Sequence, residues 1–251
     1  MNILATFIFF TRIPFWRIRE VPASCFKHVV PYWPLIGMLT GSTMALVFLM
    51  TRFFFPIGIS ILFAIIARLL LTGCLHEDGL ADCLDAFGGG TNKERILAIM
   101  KDSHIGSYGV IGLICYFLFF YVCSINLPAR HLPLFFIIGD VWGKFTASHI
   151  INLLPYARKE EESKAHNVYS RMSCIELMFN ITIALITTIS LILLLGTTYI
   201  PALILPIMTF LFFVKYLQKR IQGYTGDCCG FAFLASELTF QITAVFCSYN
   251  L

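Results

Sequence analysis

The stretch IGISILFAIIARLLLTGCL, residues 57–75, runs directly into HEDGLADCLD, residues 76–85. The first part holds one charge, Arg68, and is long enough to cross a hydrocarbon layer as a helix. The second part sets Asp78, Asp82 and Asp85 at i, i+4 and i+7, which is one face of a helix. Carboxylates repel each other and are costly near a bilayer. Aligning three of them at a membrane boundary makes sense if a hard divalent cation sits between them. Oxygen donors suit Mg²⁺, which commonly joins one or two carboxylates to substrate phosphates. The pattern points to a membrane enzyme that handles a phosphate or pyrophosphate compound.

Composition agrees. Of 251 residues, 58% are hydrophobic and 13% charged, with a mean hydropathy of +0.82. Soluble domains carry about 25% charged residues. The apolar segments are continuous rather than alternating, so the expected class is all-α, a polytopic membrane helix bundle and not a barrel. Seven spans are expected, near 33–55, 57–75, 108–127, 132–154, 175–195, 198–217 and 231–248. No signal peptide is evident, because Thr11-Arg12 ends the early apolar run. The whole chain, 1–251, reads as a single integral membrane domain. The nine cysteines form no C-x-x-C pair and read as free thiols; Cys228-Cys229 lacks further soft ligands nearby.

The charges fall unevenly. Arg12, Arg17, Arg19, Lys27, Lys93, Arg95, Lys101, Arg158, Lys159, Lys164, Arg171, Lys215, Lys219 and Arg220 lie on one side of the expected membrane. Arg52 and Arg130 lie on the other. The positive-inside rule puts the basic side in the cytosol. The N-terminal stretch and the segments 76–107, 155–174 and 218–230 all belong to that side, which places the candidate active site at the cytosolic face.

Those segments hold the remaining chemistry. Segment 76–107 is the expected catalytic loop, with Thr91-Asn92 capping a short amphipathic helix from Lys93 to Met100. The run Lys101-Asp102-Ser103-His104-Ile105-Gly106-Ser107-Tyr108-Gly109 leads into the third span, where glycines would let backbone N–H groups approach a phosphate. In segment 155–174, Arg158 is the better phosphate ligand, and Glu160-Glu161-Glu162 reads as a solvated face. Asp227 reads equally as a helix N-cap or a site carboxylate. Glu237, deep in the last span, needs a partner or a function. Asp140 and Lys144 are spaced to pair on one helix, and Arg68 to pair with an acid on a neighbouring one. Trp16, Tyr32 and Trp33 read as interfacial anchors, and Gly37, Gly41 and Ser42 as a close-packing stripe. His131 and His166 read as surface groups, while His28 and His149 have no evident role.

At these residues the sequence resembles a known family, the cobalamin synthases. His76, Asp78-Gly79-Leu80-Ala81-Asp82 and Asp85 are similar to that family's signature. Met100-Lys101-Asp102-Ser103 with Gly106 and Gly109 resembles its second block, and Thr225-Gly226-Asp227 with Gly230 its last. Phe10-Thr11-Arg12-Ile13-Pro14, Pro34-Leu35-Ile36-Gly37 and Tyr156-Ala157-Arg158 are also similar. The chain departs from the pattern at His104 and Lys144, where Arg is usual, and at Leu234, where an acid is frequent. The resemblance implies Mg²⁺-dependent transfer of the phosphocobinamide group of adenosylcobinamide-GDP to α-ribazole or its 5′-phosphate, with GMP released. It implies His76, Asp78, Asp82 and Asp85 as catalytic residues, the three aspartates also holding the metal. Lys101, Asp102, Ser103, Arg158, Thr225 and Asp227 would contact substrate. The expected setting is the bacterial inner membrane, multi-pass, with the lipid bilayer as partner and no nucleic acid. The alternative is a CDP-alcohol phosphotransferase of phospholipid synthesis, which shares an Asp-Gly-x-x-Ala run but expects Arg where Asp82 stands. A transporter would place its acids near mid-membrane in several spans, whereas these cluster at one edge.

Overall fold

The computed structural model describes residues 1–158 and 168–250, so Lys159 to Lys164 and His166 lie outside the described residues. Helix α1 spans Asn2–Phe10, α2 Trp33–Thr51, α3 Ile57–Thr72 and α4 Leu75–Gly89. They are followed by α5 Lys93–Lys101, α6 Ser107–Asn126, α7 Leu132–Ser148 and α8 Ile150–Leu153. The chain then forms α9 Cys174–Leu195, α10 Ile200–Arg220 and α11 Gly226–Tyr249. Short 3-10 turns link α1 to α2. No strand occurs among the described residues beyond one isolated bridge, Tyr156 with Tyr224.

Among the described residues, six helices are long and apolar enough to cross a membrane, or seven if the α3–α4 pair, bent by 89°, counts as one span. The expected spans therefore recur, with one difference. The second is short, and the chain turns sharply after Thr72, so the aspartate run is a helix lying across the end of the bundle. Proline in the first turn helps start α2, α7 and α10, where its missing N–H costs nothing. Ser173 and Glu176 form a reciprocal capping box that starts α9, and Glu176 also meets His28 Nδ1 at 3.0 Å.

Lipid is as apolar as leucine, so helices in a membrane associate through close packing and polar contacts rather than by escaping water. Helix α7 is the central element, packed on α2, α9 and α11. A Cβ at Gly37 would lie 2.7 Å from the Val141 backbone, and one at Gly41 the same distance from Ile137. The small-residue stripe thus brings α2 and α7 into backbone contact, as its spacing predicts. Outward faces such as Ile175, Leu193 and Phe212 are exposed apolar surface suited to lipid.

Inside the bundle the charges meet each other. Arg68 Nη1 donates to Glu237 Oε1 at 2.5 Å and Nη2 to the Tyr116 hydroxyl at 2.8 Å. Tyr116 donates in turn to Glu237 Oε2 at 2.6 Å. Lys144 bonds directly to Asp140, which also accepts from Thr40 at 2.8 Å. Glu77 and Asp140 lie 3.8 and 3.9 Å from the Arg68 guanidinium. These pairings are what the sequence suggested for Arg68, Asp140 and Lys144, and they supply the partner that Glu237 required.

Candidate active site

The segments expected on the basic side meet at one end of the bundle. Its organising feature is the elbow between α3 and α4. Gly73 and Cys74 both adopt left-handed backbone conformations, with φ of +65° and +60°. Only glycine takes this conformation without strain, and the Arg12 guanidinium occupies the space a Gly73 side chain would need. Arg12 N also donates to Leu71 O at 2.7 Å. The N-terminal arm therefore braces the turn that aims α4. Glu77 and Asp78 fall in the first turn of α4, where carboxylates complement the helix dipole.

The three aspartates on α4 have different surroundings. Asp78 is exposed, Asp82 half-buried and Asp85 buried. Asp85 accepts the backbone N–H of Gly106 at 2.7 Å with one oxygen and that of Gly109 at 2.9 Å with the other. A Cβ at either glycine would lie 2.5 Å from that carboxylate. This corrects one expectation: the amides at the start of α6 hold Asp85, not a phosphate. Both Asp85 oxygens are committed to a helix N-terminus, a favourable place for an anion, so its direct role here is to fasten α4 to α6.

Helix α11 approaches α4 on the other side through glycine. A Cβ at Gly79 would lie 2.9 Å from Asp227 O, and one at Gly230 3.0 Å from His76 O. The helix is capped by Thr225, whose hydroxyl accepts from Cys228 N at 3.4 Å. Asp227 is therefore inside the first turn rather than the cap. Thr225 is buried and also contacts the Asp227 carboxylate at 3.4 Å; it positions Asp227 rather than facing the cavity. The preceding turn is tied to the Tyr156-Ala157-Arg158 segment: Ala157 N donates to Tyr224 O at 2.8 Å and Tyr224 N to Pro155 O at 2.9 Å. Arg158 Nη2 donates to Leu97 O at 2.8 Å, linking that segment to α5.

These contacts enclose a cavity of about 150 Å³. Asp78, Asp227 and Arg158 supply its charged lining. Phe10, Trp33, His76 and Tyr169 contribute most of the aromatic lining. Burial pushes the Tyr169 and Tyr224 phenols up, so both remain neutral hydroxyls. The volume is below the ~300–1,000 Å³ that encloses a drug-sized ligand. A large substrate would place only part of itself here.

Not every expected residue arrives. Lys101, Asp102 and Ser103 sit exposed at the end of α5 and do not line the cavity. Asp102 instead accepts from His104, whose Nδ1 lies 2.6 Å from Oδ1; the hydrogen bond holds its carboxyl below the usual range. Asp82, one turn along α4 from Asp78, is also outside the cavity lining. His76 is 2% exposed and packed among the Phe10, Trp33 and Phe233 rings. Trp33, read as an interfacial anchor, is likewise buried, and stacks on Phe10 at 5.3 Å. Its contribution to the site was missed because an aromatic residue at the start of a span looks the same in sequence whether it faces lipid headgroups or a pocket.

The donor set fits a hard divalent cation through carboxylate oxygen. Among the described residues, no three His, Cys, Asp or Glu side chains form a ready-made metal site. Ligation would therefore rest on one or two carboxylates, Asp78 and Asp227 at the cavity or Asp82 beside it, completed by substrate phosphate oxygens, as is usual for Mg²⁺.

Comparison with known proteins bears on the same blocks. The cobalamin-5-phosphate synthase family model matches residues 2–245. A protein of Vibrio parahaemolyticus named adenosylcobinamide-GDP ribazoletransferase is 35% identical over 241 residues, covering 94% of this chain and 89% of the relative. One of the same name from Leptospira interrogans is 34% identical over 247 residues, covering 95% and 92%. A third, from Shewanella pealeana, is 36% identical over 235 residues, covering 92% and 89%. No solved structure matches the chain. The match runs through every segment that builds the cavity, from the Arg12 arm to the Thr225 turn, and the chain belongs to the cobalamin-5-phosphate synthase family of transferases.

Proposed function

We propose that this protein transfers the phosphocobinamide group of adenosylcobinamide-GDP to the ribose 3′-hydroxyl of α-ribazole or its 5′-phosphate, in a Mg²⁺-dependent reaction. The observation that carries this reading is convergence. Three sequence blocks far apart in the chain bring two carboxylates and a guanidinium to one cavity at the basic end of a membrane bundle. The family resemblance makes the same assignment from the residues alone.

The reaction is a displacement at phosphorus. A bond forms between the ribose 3′-oxygen and the phosphorus that carries cobinamide. The bond from that phosphorus to the bridging oxygen breaks, and the oxygen leaves with GMP. The hydroxyl proton passes to a carboxylate at the cavity mouth, Asp78 or Asp227. Arg158 is anchored by its bond to Leu97 O, so its planar guanidinium is oriented for phosphate oxygens. His76 forms part of the cavity wall. When bound, a divalent cation held by Asp78, Asp82 or Asp227 supplies neutralisation of the charge building on GMP. The bulk of the corrinoid lies outside the cavity, against the membrane surface.

The basic end would face the cytoplasm of a bacterial inner membrane, as its arginines and lysines favour. The test is GMP release and corrinoid product formation by protein in liposomes, with adenosylcobinamide-GDP and α-ribazole phosphate. Product that needs Mg²⁺ and stops with EDTA is the expected result. A folded preparation that makes no product would overturn the reading, and a CDP-alcohol donor would be assayed next.

A further inference from the structure

A second cavity, of about 350 Å³, lies between α4, α10 and α11. Leu84 and Phe87 of α4, Phe212 and Tyr216 of α10, and Phe231 and Ala235 of α11 form much of its wall. Among the described residues, no charged side chain lines it. It is a groove open to the outside of the bundle: Phe212 is 74% exposed, and the other five residues are half-buried. Thr209 and Tyr216 mark its extent along α10, which is about 10 Å at ~1.5 Å per residue. One leaflet offers ~15 Å of hydrocarbon depth, so the groove fits within it.

The end of the groove nearest the last turn of α10 is basic. Lys219 and Arg220 stand in that turn. The Arg220 guanidinium lies 5.5 Å from the Tyr216 ring centroid and 6.0 Å from that of Phe87. Its Nη1 donates to the Tyr216 hydroxyl at 3.1 Å and its Nη2 to Gly90 O at 2.7 Å. Those two bonds use only part of its donor fork. Lys215 and Lys219 are exposed. With Phe212 and Tyr216 they follow i, i+3, i+4 and i+7 spacing, so they share the helix face that borders the groove. Among the described residues, no ion pair involves Lys215, Lys219 or Arg220.

An uncharged groove on a membrane-facing helix suits hydrocarbon, which carries no polar group to be left unsatisfied there. A basic rim at the membrane surface adds a choice of headgroup. Each Lys or Arg there favours an anionic lipid by about fivefold. We propose that this groove binds one acyl chain of an anionic phospholipid from the leaflet at the basic end, with the headgroup phosphate held by Lys215, Lys219 and Arg220. The chain packs against Leu84 and Phe87 and so supports α4, the helix that carries Asp78, Asp82 and Asp85.

The experiment counts lipids on the full chain by native mass spectrometry, from detergent micelles titrated with phosphatidylglycerol or phosphatidylcholine of identical chains. No readout depends on turnover. Wild type is expected to retain one phosphatidylglycerol with a preference on the order of 100-fold, about fivefold for each of the three basic groups. Lys215→Gln combined with Lys219→Gln lowers the preference to about fivefold, the share of Arg220. Ala235→Phe fills the groove and removes the retained lipid. Equal retention of the two lipids by wild type overturns the proposal. So does an undiminished preference in the lysine variant, since the basic end at large would then be attracting the lipid. An Ala235→Phe protein that keeps the lipid at wild-type strength places it elsewhere and overturns the site; if that variant does not fold, the lysine pair decides. Displacement of the lipid by adenosylcobinamide, or by dimer formation, would give the groove to the corrinoid or to a second copy and also overturn the proposal.

Discussion

Two groups of charges lie within a few helical turns of each other and behave oppositely. Arg68, Glu77, Tyr116, Asp140, Lys144 and Glu237 form a closed layer inside the bundle, each at most 4% exposed; all but Glu77 are hydrogen-bonded within the set or to Thr40, and Glu77 lies 3.8 Å from Arg68. Asp78 and Asp227 face a cavity whose basic lining group, among the described residues, is Arg158. Glu77 and Asp78 are adjacent in sequence yet belong to different groups, because successive residues on a helix point about 100° apart. The members of the closed layer face one another rather than a cavity, so its business is holding α3, α4, α6, α7 and α11 in register. The open group places its carboxylates on the wall of a cavity, where a ligand can reach them. A charged residue near a membrane therefore reads as chemical or architectural according to whether it lines a cavity or a sealed ion layer.

The sharpest break of this contrast is Arg68→Met. Removing one member of a buried ion cluster leaves unpaired carboxylates, and about 3–5 kcal/mol of stability should be lost. Thermal unfolding in detergent would show it, along with loss of activity. Adding Glu237→Leu should recover much of the stability; no recovery would mean the pair is not a closed unit. Asp78→Asn tests the open group. It is expected to lower kcat by roughly 10²–10³-fold while leaving the unfolding temperature unchanged or raised, since an exposed carboxylate on the cavity wall adds little to the fold. A drop in both would place that aspartate with the closed layer.

Asp85 stands between the two groups. Asp85→Ala leaves the Gly106 and Gly109 amides without their acceptor and should cost about 1–3 kcal/mol, read as a lower unfolding temperature. Reduced activity would follow from misplacement of α4, and more protein-stabilising conditions should restore part of it. Activity lost at full stability would instead return Asp85 to the metal-binding role its spacing suggests. The smallest effect concerns Asp102, exposed and held low by its hydrogen bond with His104. A depressed carboxyl stabilises the fold above its unfolded pKa and loses that contribution as pH falls through the folded value. His104→Ala should therefore raise the Asp102 titration, seen by carboxyl NMR, and leave activity near pH 7 little changed.

The span pattern was plain in sequence because each membrane helix must satisfy its own backbone over about 20 apolar residues. The small-residue contact at Gly37 and Gly41, the Asn92 cap and the helical face of Asp78, Asp82 and Asp85 were legible for similar reasons: they depend on residues within one or two turns. The blocks around Asp78, Arg158 and Asp227 were recognisable as chemistry, and they do converge. Lys101 and Ser103 were grouped with them by proximity to a motif, and the end of α5 carries them away from the cavity. The glycines at 106 and 109 read in sequence as a place for a phosphate, and their amides meet a carboxylate instead. That the anion is Asp85 of the same chain, more than twenty residues upstream, could not be read from local pattern.

Sequence by itself determined that this is a helical membrane protein, which end is basic, and which family of transferases it belongs to. All three follow from composition and from short motifs whose meaning is local. Only the tertiary structure decided how the three aspartates divide, with one spent on a helix terminus and another left at an open mouth, and that Trp33 and His76 are buried walls. Those outcomes depend on which distant groups fill each hydrogen-bonding position once the helices are packed, and helix spacing along the chain carries no record of that.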